Sequence, residues 1–171
     1  MQTKYTEHPL IPFREGFAQS LLNSTEQFSN NPALWVDDET YSYSALAMRA
    51  LGIAATLQTV ISKPENCGIF AYRSATAYQG IWGALLAGCC YLPLNPGFPT
   101  DKNHSILKAA DCSVMIVDRR SEEAARKLLV TLDKKISVVL PEHIRRPSWC
   151  WNTPHEYICQ EHIAKATAWQ M

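Results

Sequence analysis

Residues 84–100 read ALLAGCCYLPLNPGFPT. An apolar, helix-forming run halts at Gly88, restarts as the strand-like CCYLPL, and is interrupted by prolines at 93, 96 and 99. A glycine just past a helix end takes the positive φ that other residues resist, so Gly88 stops the helix and lets the chain turn at once into a strand. Pro93 has no N–H, which puts its strand at a sheet edge or makes it irregular there. Pro96-Gly97 suits the centre of a type II turn. Pro99 stiffens the exit, and Thr100 with Asp101 is expected to open the next helix with a capping oxygen and a favourable charge. Every residue has a structural job, and no evident catalytic acid, base or nucleophile stands among them.

Working outward, the same alternation recurs. Upstream, a helix from about Ser74 to Ala87, with Ser74 as N-cap, has a bulky face (Tyr78, Ile81, Trp82, Leu85, Leu86) and a small one (Gly80, Gly83, Ala84, Ala87). A small face lets another backbone approach closely, so burial on two sides is expected. Before it, CGIFAY (67–72) reads as a buried strand. ALAMRALGIAATLQTV reads as a helix with an apolar stripe of Leu46, Ile53 and Leu57, capped by Ser42 or Ser44. ALWV (33–36) and 41–43 flank Asp37-Asp38-Glu39 as a β-hairpin, and Phe13, Phe17, Leu21 and Phe28 mark an N-terminal amphipathic helix. Downstream follow a helix (100–110), strand SVMIV (113–117), a helix (121–132) and strand ISVVL (136–140). Strands that are apolar throughout, alternating with helices, predict an α/β fold: a largely parallel sheet with helices on both faces. Beyond Pro141 no strand periodicity is visible. The chain therefore divides into an α/β unit over 1–140 and an irregular segment over 141–171.

Composition narrows the function classes. With 171 residues, 47% of them hydrophobic and 19% charged, the chain can bury a core. Sixteen basic residues balance sixteen acidic ones, so nothing points to nucleic acid or an anionic membrane surface. MQTKYTEHPLIPF lacks the basic start and apolar core of a secretory signal, and the most apolar window, 80–94, is too short to span a bilayer. A cytoplasmic location and reduced thiols are the expectation for cysteines 67, 89, 90, 112, 150 and 159.

LLAGCCYLPLNPGFP resembles the second core motif of amino-acid adenylation domains, LKAGxAYxPLDPxxP, in the adenylate-forming ligase superfamily. DDETYSYSALAMRALGIAATL resembles the first core motif region. AYRSATAYQGIWGALLAG and ILKAADCSVMIVD are similar to the segments that lie between and after these motifs, and the likeness runs from about Phe13 to Leu140. Leu86 stands where the family has lysine, Asn95 where it has aspartate, Ala45 where it has glutamate, and Cys89 and Cys90 where it has small residues. Arg73-Ser74 and the PLNPGFP wording lean toward the carrier-protein-linked, nonribosomal peptide synthetase branch. The resemblance implies a parent ligase that uses ATP and Mg. In it a carboxylate attacks the α-phosphorus, pyrophosphate leaves, and the acyl-AMP passes to the phosphopantetheine thiol of a carrier protein. The remaining subdomains of the ligase would be this chain's partners.

The phosphate cradle such chemistry needs is missing. Phosphates are held by glycine-rich loops whose backbone amides face the anion. The seven glycines, at 16, 52, 68, 80, 83, 88 and 97, form no Gly-x-Gly or Walker-like string. The family's loop, of the type TSGSTGKPKG, is expected beyond Met171. No catalytic, cofactor-binding or metal-ligating residue is therefore assigned within 1–171, and the chain alone is expected to be an inactive N-terminal fragment. Other readings are a stand-alone, non-catalytic binding module, an acyl-CoA synthetase fragment, a thiol enzyme built on Cys89 or Cys90 with His104, and a zinc site at Cys150, His155, Cys159 and His162, whose spacing matches no standard finger.

Overall fold

The computed structural model describes residues 16–150 and 153–159. The elements follow in chain order as α1 (Phe17–Phe28), β1 (Pro32–Val36), β2 (Glu39–Ser42), α2 (Tyr43–Val60), β3 (Asn66–Phe70), α3 (Ala75–Leu86), β4 (Cys90–Leu94), α4 (Thr100–Ala109), β5 (Val114–Val117), α5 (Glu122–Val130), β6 (Ser137–Leu140) and β7 (Glu156–Cys159). β1 and β2 form the expected antiparallel hairpin; Asp37 and Asp38, at φ 53° and 60°, make its two-residue turn. The five remaining strands form one sheet in the order β4-β3-β5-β6-β7, with every pair parallel.

Alternation along the strands separates two cores. Cys67, Ile69, Val114, Ile116, Val139 and Ile158 face α1, α2 and α3. Phe70, Met115, Val117, Val138, Leu140 and Tyr157 face α4 and α5. Because both faces are covered, β5 carries no polar residue and is buried from end to end.

The small face of α3 is its most tightly packed one. A Cβ placed on Gly83 would lie 2.6 Å from Ile53 Cγ2 and 3.1 Å from the Ala50 carbonyl, so α2 and α3 meet backbone to backbone there. Leu46, Ile53 and Leu57 are buried as the α2 stripe requires. The N-terminal stripe is less regular. Leu21 is buried, but Phe17 is 72% exposed and stacks on Trp82 with centroids 5.2 Å apart; Phe13 lies outside the described residues.

Within 84–100, Gly88 has φ 86° and closes a Schellman motif: its N–H donates to the Leu85 carbonyl (3.1 Å), and that of Cys89 to Ala84 (2.8 Å). Pro93 sits in β4, the edge strand, as its missing N–H demands. Two local expectations are corrected. Gly97 does not take positive φ, so the turn is not type II. Instead the Asn95 side chain accepts from Gly97 N–H (2.8 Å) and its carbonyl from Phe98 N–H (3.0 Å), which fixes the turn without help from glycine. The N-cap of α4 is Pro99 rather than Thr100, and no side chain caps it.

The described residues beyond Pro141 also contain more order than periodicity suggested. β7 pairs with β6 through Leu140↔Cys159 and extends the sheet past Leu140. EYIC is too short to display a period. What holds it is remote: His155 Nδ1 accepts the Ile136 N–H (3.3 Å), and its Nε2–H donates to the Leu129 carbonyl (3.0 Å). An amide can only donate and a carbonyl only accept, so the tautomer follows from the partners.

Candidate functional site

In a parallel sheet the strand-to-helix loops all emerge at the carboxyl edge. A crevice opens there wherever successive connections leave in opposite directions. Here α3 carries the chain from β3 to β4 on one face, and α4 returns it across β3 to β5 on the other. The switch point thus lies between the carboxyl ends of β3 and β5, where the chain reads Tyr72-Arg73-Ser74 and Asp118-Arg119-Arg120-Ser121.

A cleft of roughly 610 Å³ occupies that position. Ser74, Thr76 and Gln79 at the start of α3 and Asp118 and Arg120 after β5 line it. Pro141 and Glu142 follow β6, while the hairpin and α2 close it with Asp37, Glu39, Tyr41, Met48 and Arg49. Four carboxylates against two guanidiniums make the lining acidic.

Its polar groups are tied together. Arg120 pairs with Asp37, joining the hairpin to the β5–α5 loop, and it also feels Asp118 and Glu142, which together hold its guanidinium charged. Thr76 Oγ1 donates to Glu142 Oε1 (2.5 Å), and Arg119 donates to the Glu142 carbonyl (2.8 Å). The Tyr41 hydroxyl donates to Glu39; that bond, with lesser contributions from burial and the nearby acidic charges, pushes its pKa up to about 12. Asp118 is different. Its side chain is buried, Oδ1 accepts Ser121 N–H (3.0 Å) as a helix cap, and Oδ2 has no partner.

The helix N-termini at this edge already carry oxygen-bearing side chains. Ser74 Oγ accepts from Ala77 N–H (3.3 Å) at α3, Asp101 lies in the first turn of α4, and Glu122 and Glu123 lie in that of α5. Carboxylates there repel the anion that the helix dipole would attract. Gly97, the one glycine in a described strand-to-helix loop, has its N–H engaged by Asn95. These side chains disfavour a phosphate at this edge.

The remaining sequence-derived candidates resolve individually. Cys90 is exposed and Cys89 buried, and burial raises the Cys89 thiol above its ordinary value. Neither thiol hydrogen-bonds to His104 among the described residues, so no activated pair forms. Both His155 nitrogens are engaged by backbone groups, which leaves none for zinc, and no cluster of three metal-binding side chains exists among the described residues; His162 lies outside them. No helix among the described residues is long and apolar enough to cross a membrane. A smaller cavity of about 130 Å³ near His104 and Leu132 lies at the amino ends of β5 and β6, behind the Lys134–Asp111 pair (2.6 Å). The acidic cleft itself was not visible in the sequence, because its residues come from five separate segments.

A parallel sheet whose second strand flanks the first and whose later strands follow in order is an open doubly wound α/β domain. Residues 21–163 match the family model described as AMP-binding enzyme, and the chain belongs to that family as an N-terminal adenylation subdomain. Over 128 residues it is 30% identical to indigoidine synthase of Dickeya dadantii (strain 3937), covering 74% of this chain and 8% of that protein. Over 91 residues it is 38% identical to bacitracin synthase 1 of Bacillus licheniformis, covering 53% of this chain and 2% of that one. The Vibrio cholerae adenylation domain AlmE, solved with glycyl-adenosine-5'-phosphate, superposes with a TM-score of 0.72 at 24% identity, over 87% of this chain and 29% of that one. This chain therefore spans less than a tenth of either synthase.

Proposed function

We propose that this chain is the N-terminal scaffold of a larger adenylate-forming ligase. The parent would activate a carboxylic acid, an amino acid on the branch its motifs favour, with ATP and Mg, and hand the acyl group to a carrier-protein thiol. The chain's part is mechanical. A five-stranded wall, packed on both faces, holds the carboxyl edge against which the other subdomains build the reaction site. The observation that carries this reading is the family match over 21–163, joined to helix N-termini at that edge that carry Ser74, Asp101, Glu122 and Glu123.

ATP–pyrophosphate exchange tests it. The 171-residue chain is expected to show no exchange with any amino acid, whereas the full native polypeptide exchanges with one or a few. Exchange by the short chain alone would overturn the scaffold reading. A non-catalytic binding module is the second reading, favoured by the acidic cleft with its unpartnered Asp118.

A further inference from the structure

The two helical layers that cover the sheet are finished differently. On one side α4 carries three formally charged residues in 10 and α5 four in 9, most of them exposed, as helices facing water do. On the other side α1 carries only Glu26 in 12 residues and α2 only Arg49 in 18, while α3 has no charged residue in its 12. A helix without a charged face belongs in an interior. Only part of α3 is in one. Gly80, Gly83, Ala84 and Leu86 are buried, but Tyr78, Ile81, Trp82 and Leu85, spaced i, i+3, i+4 and i+7 along one stripe, are only half-buried. The stripe continues onto α1, where Phe17 stacks on Trp82 and is 72% exposed. On the same side of the sheet, Tyr91 of β4 is 44% exposed.

Composition and length point to the occupant. A face of aromatic and aliphatic side chains with no formal charge offers nothing to an ionic partner and is matched by an equally apolar one. The chain spans 29% of the adenylation domain AlmE and less than a tenth of either synthase, so on the scaffold reading above, on which this inference rests, most of the parent has still to be packed somewhere. We infer that the α1–α3 layer, centred on Tyr78, Ile81, Trp82 and Leu85, is covered in the parent by an apolar, uncharged surface of the same polypeptide from outside residues 1–171. The α4–α5 layer is the parent's outer surface and stays in water.

The test is thiol accessibility, compared between the 171-residue chain and the full native polypeptide. Phe17→Cys, Tyr78→Cys and, as the control on α5, Val130→Cys are introduced singly into each and labelled with N-ethylmaleimide, and the labelled peptides are resolved by mass spectrometry from those of the native cysteines. Phe17 and Val130 are exposed and Tyr78 half-buried, so these variants are expected to fold, which circular dichroism checks. Labelling of Phe17→Cys and Tyr78→Cys is expected to slow at least about ten-fold in the full polypeptide, because access governs thiol reactivity, while Val130→Cys reacts equally in both. A smaller slowing at either test position, or an equal slowing at the control, would overturn the inference. So would protection that arises in the short chain on concentration together with a doubled mass by light scattering, which would assign the face to a second copy. The mass of the full polypeptide separates the two failures: a heavy polypeptide with unprotected positions ends this inference alone, whereas a native species no larger than this chain ends the scaffold reading with it.

Discussion

Replacing Gly83 by alanine sets two effects of opposite sign against each other. Alanine in a helix interior is favoured over glycine by about 1 kcal/mol, so propensity alone predicts a gain. The new Cβ, however, would lie 2.6 Å from Ile53 Cγ2, 2.8 Å from Ile53 Cβ and 3.1 Å from the Ala50 carbonyl. Carbon atoms pack at about 3.5–4.0 Å, and the obstructing atoms are the stiff, β-branched root of a side chain and a helix backbone. Neither can swing aside, so α2 and α3 must separate, an overpacking cost of about 1–3 kcal/mol. The overlap wins, and Gly83→Ala is expected to lower Tm. Gly80→Ala is the matched control. The nearest atoms its Cβ would meet are Ile116 and Ile69 side-chain atoms at 3.4 Å, so propensity wins there and Tm is expected to rise by about 2–4 °C. In an Ile53→Ala background the Gly83→Ala loss shrinks, because Cγ2 is gone and only the contacts to the residue-53 Cβ and the Ala50 carbonyl remain. Urea midpoints and thermal melts followed by circular dichroism read all four variants. Equal stabilisation by Gly83→Ala and Gly80→Ala would refute the backbone-to-backbone approach of α2 and α3.

Three further expectations follow from the same geometry. Asp38 holds φ 60° in the hairpin turn, so Asp38→Gly should raise stability by about 0.5–1 kcal/mol in a urea titration while sparing the Arg120–Asp37 pair. His155→Ala strands the Ile136 N–H and the Leu129 carbonyl and should destabilise by about 2–4 kcal/mol, with hydrogen exchange at Ile136 and along β7 accelerating first. Burial raises the thiols of Cys67 (well above the ordinary 9.0), Cys89, Cys112 and Cys150, the last to about 12. The folded chain keeps protons that the unfolded chain releases. The stability these thiols contribute is therefore full below about pH 9 and declines as pH rises beyond it, so the urea midpoint should fall between about pH 7 and pH 10.

The sheet was legible because its strands are apolar on both faces, and that pattern has one common physical cause. VMIV and SVVL cannot sit at a solvated surface, and the intervening helices announce their ends through Ser74, Gly88 and the proline-rich turn. Where reading by residue type failed, a neighbour had replaced the expected device. Asn95 caps the turn that Gly97 was expected to make, and Pro99 takes the capping position assigned to Thr100. β7 escaped notice because four residues show no period and their anchor, His155, acts through partners 19 and 26 positions away. The cleft was illegible for a related reason. Asp37, Met48, Thr76, Asp118 and Glu142 become neighbours only when β3 and β5 lie side by side. The expectation of no phosphate loop within 1–171 rested on glycine spacing alone, whereas the side chains gathered at the helix N-termini of the carboxyl edge required the structure.

The most direct test of the central claim is the mass of the native polypeptide in its source cells, detected with an antibody raised against this chain. The scaffold account predicts a species several times heavier than 19.2 kDa, carrying the subdomains that bind ATP and the acid. A native species of 19.2 kDa would contradict it and leave the acidic cleft as the chain's own functional site.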